Sequence, residues 1–307
     1  MSEPKNHHYV PRCLIEQFKN KSNKYSLYDI ERNNFYTKLS SKSIFSEIGL
    51  NTILDDNGNK NNTNIEKEIN NYFEKEFPIN YKIVKDLIIE FEHQPIEKFE
   101  NVEFINALYY LIKLGLISDF RNPKKLKSID DAINGMFNDI YPVSPKGLKN
   151  EIDYLRKVRA LTKYNSHTDF VEVANGIIKN MGEHVISVHI APELDYFILP
   201  DCQSSYFRKV LEDDILYNGM VLKSSNNVIC WLGYPIDSKT FITIEAKKIS
   251  KRKKNSILRI DSEFTFFINL QLFNSAYKNI LCEDENYLKS FIDKVNTNCI
   301  KTQTVSK

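Results

Sequence analysis

NHHYVPRCLIEQF, residues 6–18, sets two adjacent histidines ahead of Tyr-Val-Pro and an amphipathic run. Its reading decides whether the N-terminus is a frayed tail or a part of the core. Only six histidines occur in the chain, and two of them stand here. Proline restricts the residue before it to extended backbone, so Tyr9-Val10 reads as strand. Leu14, Ile15 and Phe18 recur at helical spacing, which predicts a short helix. In extended backbone, neighbouring side chains point to opposite faces, so one histidine can face a cleft while the other packs. Tyr9, Val10, Leu14 and Phe18 are expected to dock the segment on the core. This predicts an N-terminal strand inserted beside a later β-sheet.

Outward from that stretch, KYSLYDIERNNFYTKL (24–39) reads as a β-hairpin with its turn at Arg32-Asn33-Asn34. DDNGNKNNTN (55–64) is a polar, mobile-looking loop. Ile65, Ile69, Tyr72, Phe73 and Phe77 keep a 3.6 period, with Thr63 or Asn64 as N-cap. Ile83, Val84, Leu87 and Ile88 continue it. Phe104 to Ile112 form an apolar helix that ends near DFRNPKK. Helix is also predicted across 125–180, broken at Pro142 and Pro145. The pattern then turns to strand in 184–201, in NVICWLGYPI and in TFITIEAKK. SEFTFFINLQLFNSAYKNILC returns to helix through Ile280, and the last fifteen residues read as a polar, frayed end.

The expected class is α+β: a mixed sheet core built from N- and C-terminal segments, with a largely helical insertion between them. A single integrated domain spans 1–307, with the helical subdomain at 65–180 and a β-rich core plus helix at 184–282. Hydrophobic residues make up 42% and charged residues 27%, a soluble globular balance. The formal charge of +2 sets up no global basic field, so local patches have to be judged one by one. The five cysteines include no CxxC pair, which excludes a zinc ribbon and points to a reducing cytoplasm. No signal-peptide core and no membrane-length apolar run is found, so no membrane association is expected. Phosphate-cradling glycine motifs and a serine nucleophile elbow are missing, which argues against a nucleotide-driven motor and a serine hydrolase.

HHYVPRCLIEQF resembles the opening signature of a bacterial family catalogued as domain of unknown function 4238. Members open with His-His-Tyr-Val-Pro, then Arg or Gln, then an apolar-aromatic segment ending in Phe. Ile65-Glu66 and Arg121-Asn122-Pro123 match its next features. Its central strand reads Phe-Ile-Thr-Ser-Asp-Asn-Pro. Here FILPDCQ (197–203) keeps Phe197, Ile198 and Asp201 but loses the Thr-Ser hydroxyls. YPIDSK (234–239), Asn269 and Ala276 complete the match. The resemblance implies no settled reaction; some members look like parts of defence or toxin loci.

Histidine suits proton transfer near neutral pH, and a carboxylate at a strand end can orient it. His7, His8, Asp201 and Asn269 are therefore the candidate catalytic set. The alternative is structural: buried imidazoles that pin the N-terminus, an Asp201 that caps a turn, an Asn269 that bonds the HHYVP backbone. Arg12, Arg121 and the loop residues Lys251, Arg252, Lys253 and Lys254 are candidate phosphate contacts, set against a plain solvated loop. His184 and His189 read as packing or edge residues. HHYVP is also similar to the first strand of HNH nucleases. The following segment offers Glu47 and Asn51 but no histidine before His93, so that metal constellation is incomplete. The cofactor is undetermined, a divalent metal being the candidate.

The leading expectation is a cytoplasmic, phosphodiester-cleaving, nuclease-like effector of a bacterial antiviral-defence or toxin system. The candidate partners are nucleic acid and a partner protein of such a locus. The alternative is a non-catalytic sensor or partner-binding module whose HHYVP motif is structural. A third option is a hydrolase or transferase acting on a small nucleotide.

Overall fold

The computed structural model describes residues 6–50, 52–54, 60–61, 67, 69–71, 73–90, 99–159, 167–202, 205–217, 220–248 and 250–305. Ile65-Glu66, Thr63, Asn64, Tyr72, Asn51, His93 and Gln203 lie outside these residues, as does most of the predicted 55–64 loop.

The chain opens with strand β1 (Asn6–His8), the short helix α1 (Arg12–Ile15) and a hairpin of β2 (Tyr25–Asp29) and β3 (Asn34–Lys38). The hairpin turn carries Asn33 at φ +50°, a conformation asparagine tolerates well. Strand β4 (Ser46–Ile48) and the two-residue strands β5 (Ile53–Leu54) and β6 (Lys60–Asn61) follow. Then comes the helical layer: α2 (Phe77–Glu90), α3 (Val102–Arg121), α4 (Pro123–Ile140), α5 (Lys146–Arg159) and α6 (His167–Asn180). Asn101 caps α3 by accepting from the Phe104 N–H, and Asn122 caps α4 by accepting from Lys124. The breaks near Pro123, Pro142 and Pro145 fall where proline stops a helix.

The second half supplies β7 (His184–Ile190), β8 (Leu199–Pro200), β9 (Ser205–Tyr217), β10 (Met220–Pro235), β11 (Thr240–Ala246) and β12 (Ser256–Arg259). Helix α7 (Ser262–Ser275), strand β13 (Asn279–Cys282) and helix α8 (Glu285–Val305) complete it. Two larger sheets result. One runs β12-β7-β11-β10-β9 and is mixed, because β12 lies parallel to β7. The other runs β3-β2-β13-β8 and joins both ends of the chain. The expected α+β class, with helices between the β-forming parts, is the observed one.

Alternation sorts each sheet into two faces. On the five-stranded sheet, Ile186, Val188, Leu232, Tyr234, Ile242 and Ile244 bury against the helical layer. The fit there is close: a Cβ on Gly115 of α3 would fall 2.1 Å from Cδ1 of Tyr234. The opposite face carries Ser187, His189, Thr243, Glu245 and Trp231, the direct cross-strand partners on the other parity. In the four-stranded sheet, Leu27, Leu281 and Leu199 face this first core. Tyr28 and Ile280 face a second core with Phe197, Ile268, Leu272, Leu288 and Phe291.

Three expectations need correction. Strand β1 does not join a later sheet; among the described residues it pairs with β4, only some forty positions along. The C-terminal helix does not continue through Ile280: α7 stops at Ser275, and Asn279–Cys282 is a strand between β2 and β8. The C-terminal stretch is helical as far as it is described: α8 runs to Val305, with Leu288, Phe291, Ile292 and Val295 buried along its first half at helical spacing.

Candidate functional site

The HHYVP segment is a strap. Its ladder pairs His7 with Glu47 and His8 with Ser46, and the Tyr9 N–H extends it by donating to Phe45 O at 3.0 Å. The two histidines diverge as strand geometry requires: His7 is fully buried and His8 half-buried. The His8 ring bonds the Ser41 carbonyl through Nε2 at 3.2 Å. Arg12 stands on the same patch, donating from Nε to Ser41 Oγ at 3.2 Å. Ser41 and Tyr25 in turn donate to the Glu16 carboxylate at 2.6 and 2.5 Å. Burial pushes the Glu16 carboxyl up, but those two hydrogen bonds, with Lys19 and Arg12 nearby, bring it below its ordinary value.

Asp201 sits where β8 ends, fully buried. Its carboxylate accepts three backbone N–H groups, from Tyr277 at 2.6 Å, Lys278 at 2.8 Å and Asn279 at 2.9 Å. Its own N–H donates to Asn279 O at 3.0 Å, and its carbonyl accepts from Asn122 Nδ2 at 2.8 Å. Burial pushes this carboxyl up, to about 6, against the opposite pull of the three amides. The same contacts end α7, since they take up the N–H groups of 277–279 in an extended turn. Tyr9 belongs to this junction: burial first, then the Asp201 charge, raises its phenol.

Asn269, further back on α7, acts in the same manner. Its Nδ2 donates to Tyr196 O at 2.7 Å and to the Tyr287 hydroxyl at 3.1 Å, and its Oδ1 accepts from the Ile198 N–H at 3.1 Å. The backbone it bonds is that of 196–198, not that of HHYVP. Arg121 is fully buried at the end of α3, away from solvent. The structure therefore brings Tyr9, the Arg121-Asn122 corner and Asp201 to one junction. There the Asn122 amide and the Asp201 carboxylate hold backbone.

The basic loop lies elsewhere, over the polar face of the five-stranded sheet. Lys251, Lys253 and Lys254 are exposed and Arg252 is half-buried. Lys251 and Arg252 line a cavity of about 300 Å³ with His189, Trp231, Thr243, Glu245 and Phe264. Arg252 Nη1 donates to Ser187 Oγ at 3.2 Å. Ser250 donates to Glu245 and accepts from the Arg252 N–H, so the loop is tied to the sheet at both places.

A family model described as "Protein of unknown function (DUF4238)" matches residues 6–286. The chain belongs to the DUF4238 family. It matches no curated protein and no solved structure. Among the described residues, no helix is long and apolar enough to cross a membrane. Nor do three or more His, Cys, Asp or Glu side chains group there closely enough to hold a metal ion. The motif pieces that carry the resemblance fall largely in the strap and the Asp201 junction; the cavity residues lie within the matched range but are not among those pieces. His189 was read as packing from its strand alternation. The signal for a polar face was nonetheless present: Ser-x-His (187–189) and Thr-x-Glu (243–245) put polar groups at alternate positions of two adjacent strands.

Proposed function

We propose that the protein is a phosphate-recognising binding module in which the HHYVP motif is structural. The observation that carries this reading is the Asp201 carboxylate, both of whose oxygens accept backbone amides. A carboxylate so occupied is a clamp rather than an orienter of a histidine. The cations, by contrast, are at the surface: Lys251 lines the cavity, and Lys253 and Lys254 are exposed on the same loop, where they can meet an anion. Replacing residues 251–254 together by Gln is expected to weaken binding of single-stranded RNA and DNA with no change in melting temperature. The slope of log affinity against log salt should fall by roughly 2–3, as four contacts at about 0.7 each allow. Equal affinity and slope in the variant would remove the loop from the reading.

One observation favours a second reading, phosphodiester cleavage by an effector in a defence or toxin setting. Motif pieces far apart in sequence gather at one junction, and His8, the chain neighbour of Tyr9, is half-buried rather than sealed. If His8 acts as general acid or base, His8→Ala lowers cleavage of tRNA, single-stranded RNA or plasmid by roughly 10²- to 10⁴-fold. Reactions with Mg²⁺, with Mn²⁺ and with a chelator cover the metal question. A wild-type protein that cleaves none of the three substrates sinks this reading and leaves the first standing.

A further inference from the structure

The cavity on the polar face of the five-stranded sheet has chemistry that a solvated loop does not need. Its floor is a connected polar layer. His189 Nε2 meets Thr243 Oγ1 at 3.1 Å, and Thr243 donates onward to Ser187 O at 3.4 Å. Ser187 and Ser256 share a hydrogen bond at 3.2 Å beneath Arg252. With Thr243 donating onward, its oxygen receives the proton on His189 Nε2. That leaves Nδ1 as a lone-pair acceptor, and this buried atom has no hydrogen-bond partner among the described residues. Native structures rarely leave such an atom unmatched. Burial, and then the Arg252 charge, hold the His189 imidazole down at about 3, so it is neutral at physiological pH.

The walls are aromatic. Trp231 stacks on Phe241 with centroids 6.1 Å apart and is itself only partly buried. Phe264, also on the lining, is 39% exposed, its centroid 5.7 Å from His189. Gly233 makes room for this arrangement: a Cβ there would fall 2.3 Å from the Phe241 ring and 2.7 Å from Trp231. Arg252, Lys251 and the Glu245 carboxylate complete the lining.

We infer that this cavity binds a nucleoside monophosphate, its base between Trp231 and Phe264 and its phosphate on Arg252 and Lys251. Flat rings stack on aromatic side chains whatever their sequence. Guanidinium and phosphate make charge-assisted, fork-shaped bonds. Glu245, on the cavity lining, is an acceptor, and the amino and hydroxyl groups of a nucleoside are donors. A volume of about 300 Å³ stands at the lower end of ligand pockets, enough for one nucleotide and too small for a dinucleotide. The inference rests on the phosphate-recognition reading for its two cations, and on the cavity itself for the rest.

Trp231 is the single tryptophan of the chain, so its emission reports on the cavity alone. Titrating the intact protein with AMP, GMP, CMP and UMP should quench it saturably for at least one of them. Adenosine and inorganic phosphate should each bind roughly tenfold or more weakly, since each lacks half of the contacts. Arg252→Gln should bring the preferred monophosphate down to the affinity of its nucleoside. Phe264→Ala, at a half-exposed position, should weaken both by roughly tenfold while melting temperature holds. No saturable quenching by any monophosphate, together with silent calorimetry, overturns the inference. It leaves the polyanion reading to be judged by the 251–254 variant. Quenching as strong with inorganic phosphate as with nucleotide overturns it in favour of a bare anion site. Quenching by oligonucleotides but by no monophosphate overturns it in favour of a polymer groove.

Discussion

Deleting residues 1–18 is expected to abolish cooperative unfolding. The strap buries Tyr9, Val10, Leu14, Ile15 and Phe18, each with 7% or less of its surface exposed. At about 2 kcal/mol for each buried side chain of this size, their removal costs on the order of 10 kcal/mol. The whole net stability of a domain is about 5–15 kcal/mol, so the loss is comparable to the total. Removal also strips β4 of its partner and takes away Glu16, the carboxylate to which Ser41 and Tyr25 donate. The expected product is aggregated, or compact with no sharp melting transition and with strong binding of hydrophobic dye. A truncated protein that melts in one sharp transition near the wild-type temperature would show that the strap is dispensable.

The second large effect is at Asp201. Asp201→Ala leaves three backbone N–H groups buried without acceptors. Each such group costs about 1–3 kcal/mol, so a loss of roughly 3–9 kcal/mol is expected, on the order of 10 °C or more in melting temperature. Asp201→Asn keeps the shape but turns an amide NH₂ toward backbone donors, and should lose nearly as much. The two proteins also differ in pH dependence. Burial raises the Asp201 carboxyl to about 6 in the folded chain, above its ordinary value near 4. Between about pH 4 and 6 the folded state therefore holds the extra proton, and wild-type stability falls as pH rises through that window. The Asn variant has no proton there, so the gap between the two melting curves should widen as pH drops from 7 to 5. A gap that stays constant, or that narrows, would mean that the amides dominate over burial.

What could be read from the sequence was whatever is local. The 25–38 hairpin announces itself through alternating apolar residues and the Arg32-Asn33-Asn34 turn. Helices α2 to α5 follow from periodicity, asparagine caps and prolines. What could not be read was set from a distance. Asn279–Cys282 continues an apolar run that looks helical, and distant partners, the Asp201 carboxylate and the β2 and β8 ladders, make it a strand. Residues 205–217 carry mixed charge with no clear alternation, and the ladder with β10 makes them a strand. The gathering of HHYVP, Arg121-Asn122 and Asp201 was legible as motif pieces, but whether they met as a reacting site or as a brace depends on bonds to backbone, which leave no trace in residue type. His189 was missed because its own strand looks like a core strand until Thr243 and Glu245 are laid beside it.

The ladder between β2 and β13 has a consequence for how the protein is made. It joins Ser26–Asp29 to Asn279–Cys282, partners separated by most of the chain. The N-terminal hairpin leaves the ribosome early, and its open edge then waits while some 240 further residues are translated. At about 5–20 residues per second that wait lasts tens of seconds. Throughout it, Tyr25, Leu27 and Tyr28 stand on an unpaired strand edge, the geometry that invites pairing with another nascent chain. Synthesis halted before residue 279 would release a polypeptide that cannot close this sheet. Yield in the cell should accordingly depend on chaperone capacity and on elongation speed more steeply than the stability of the finished protein would suggest.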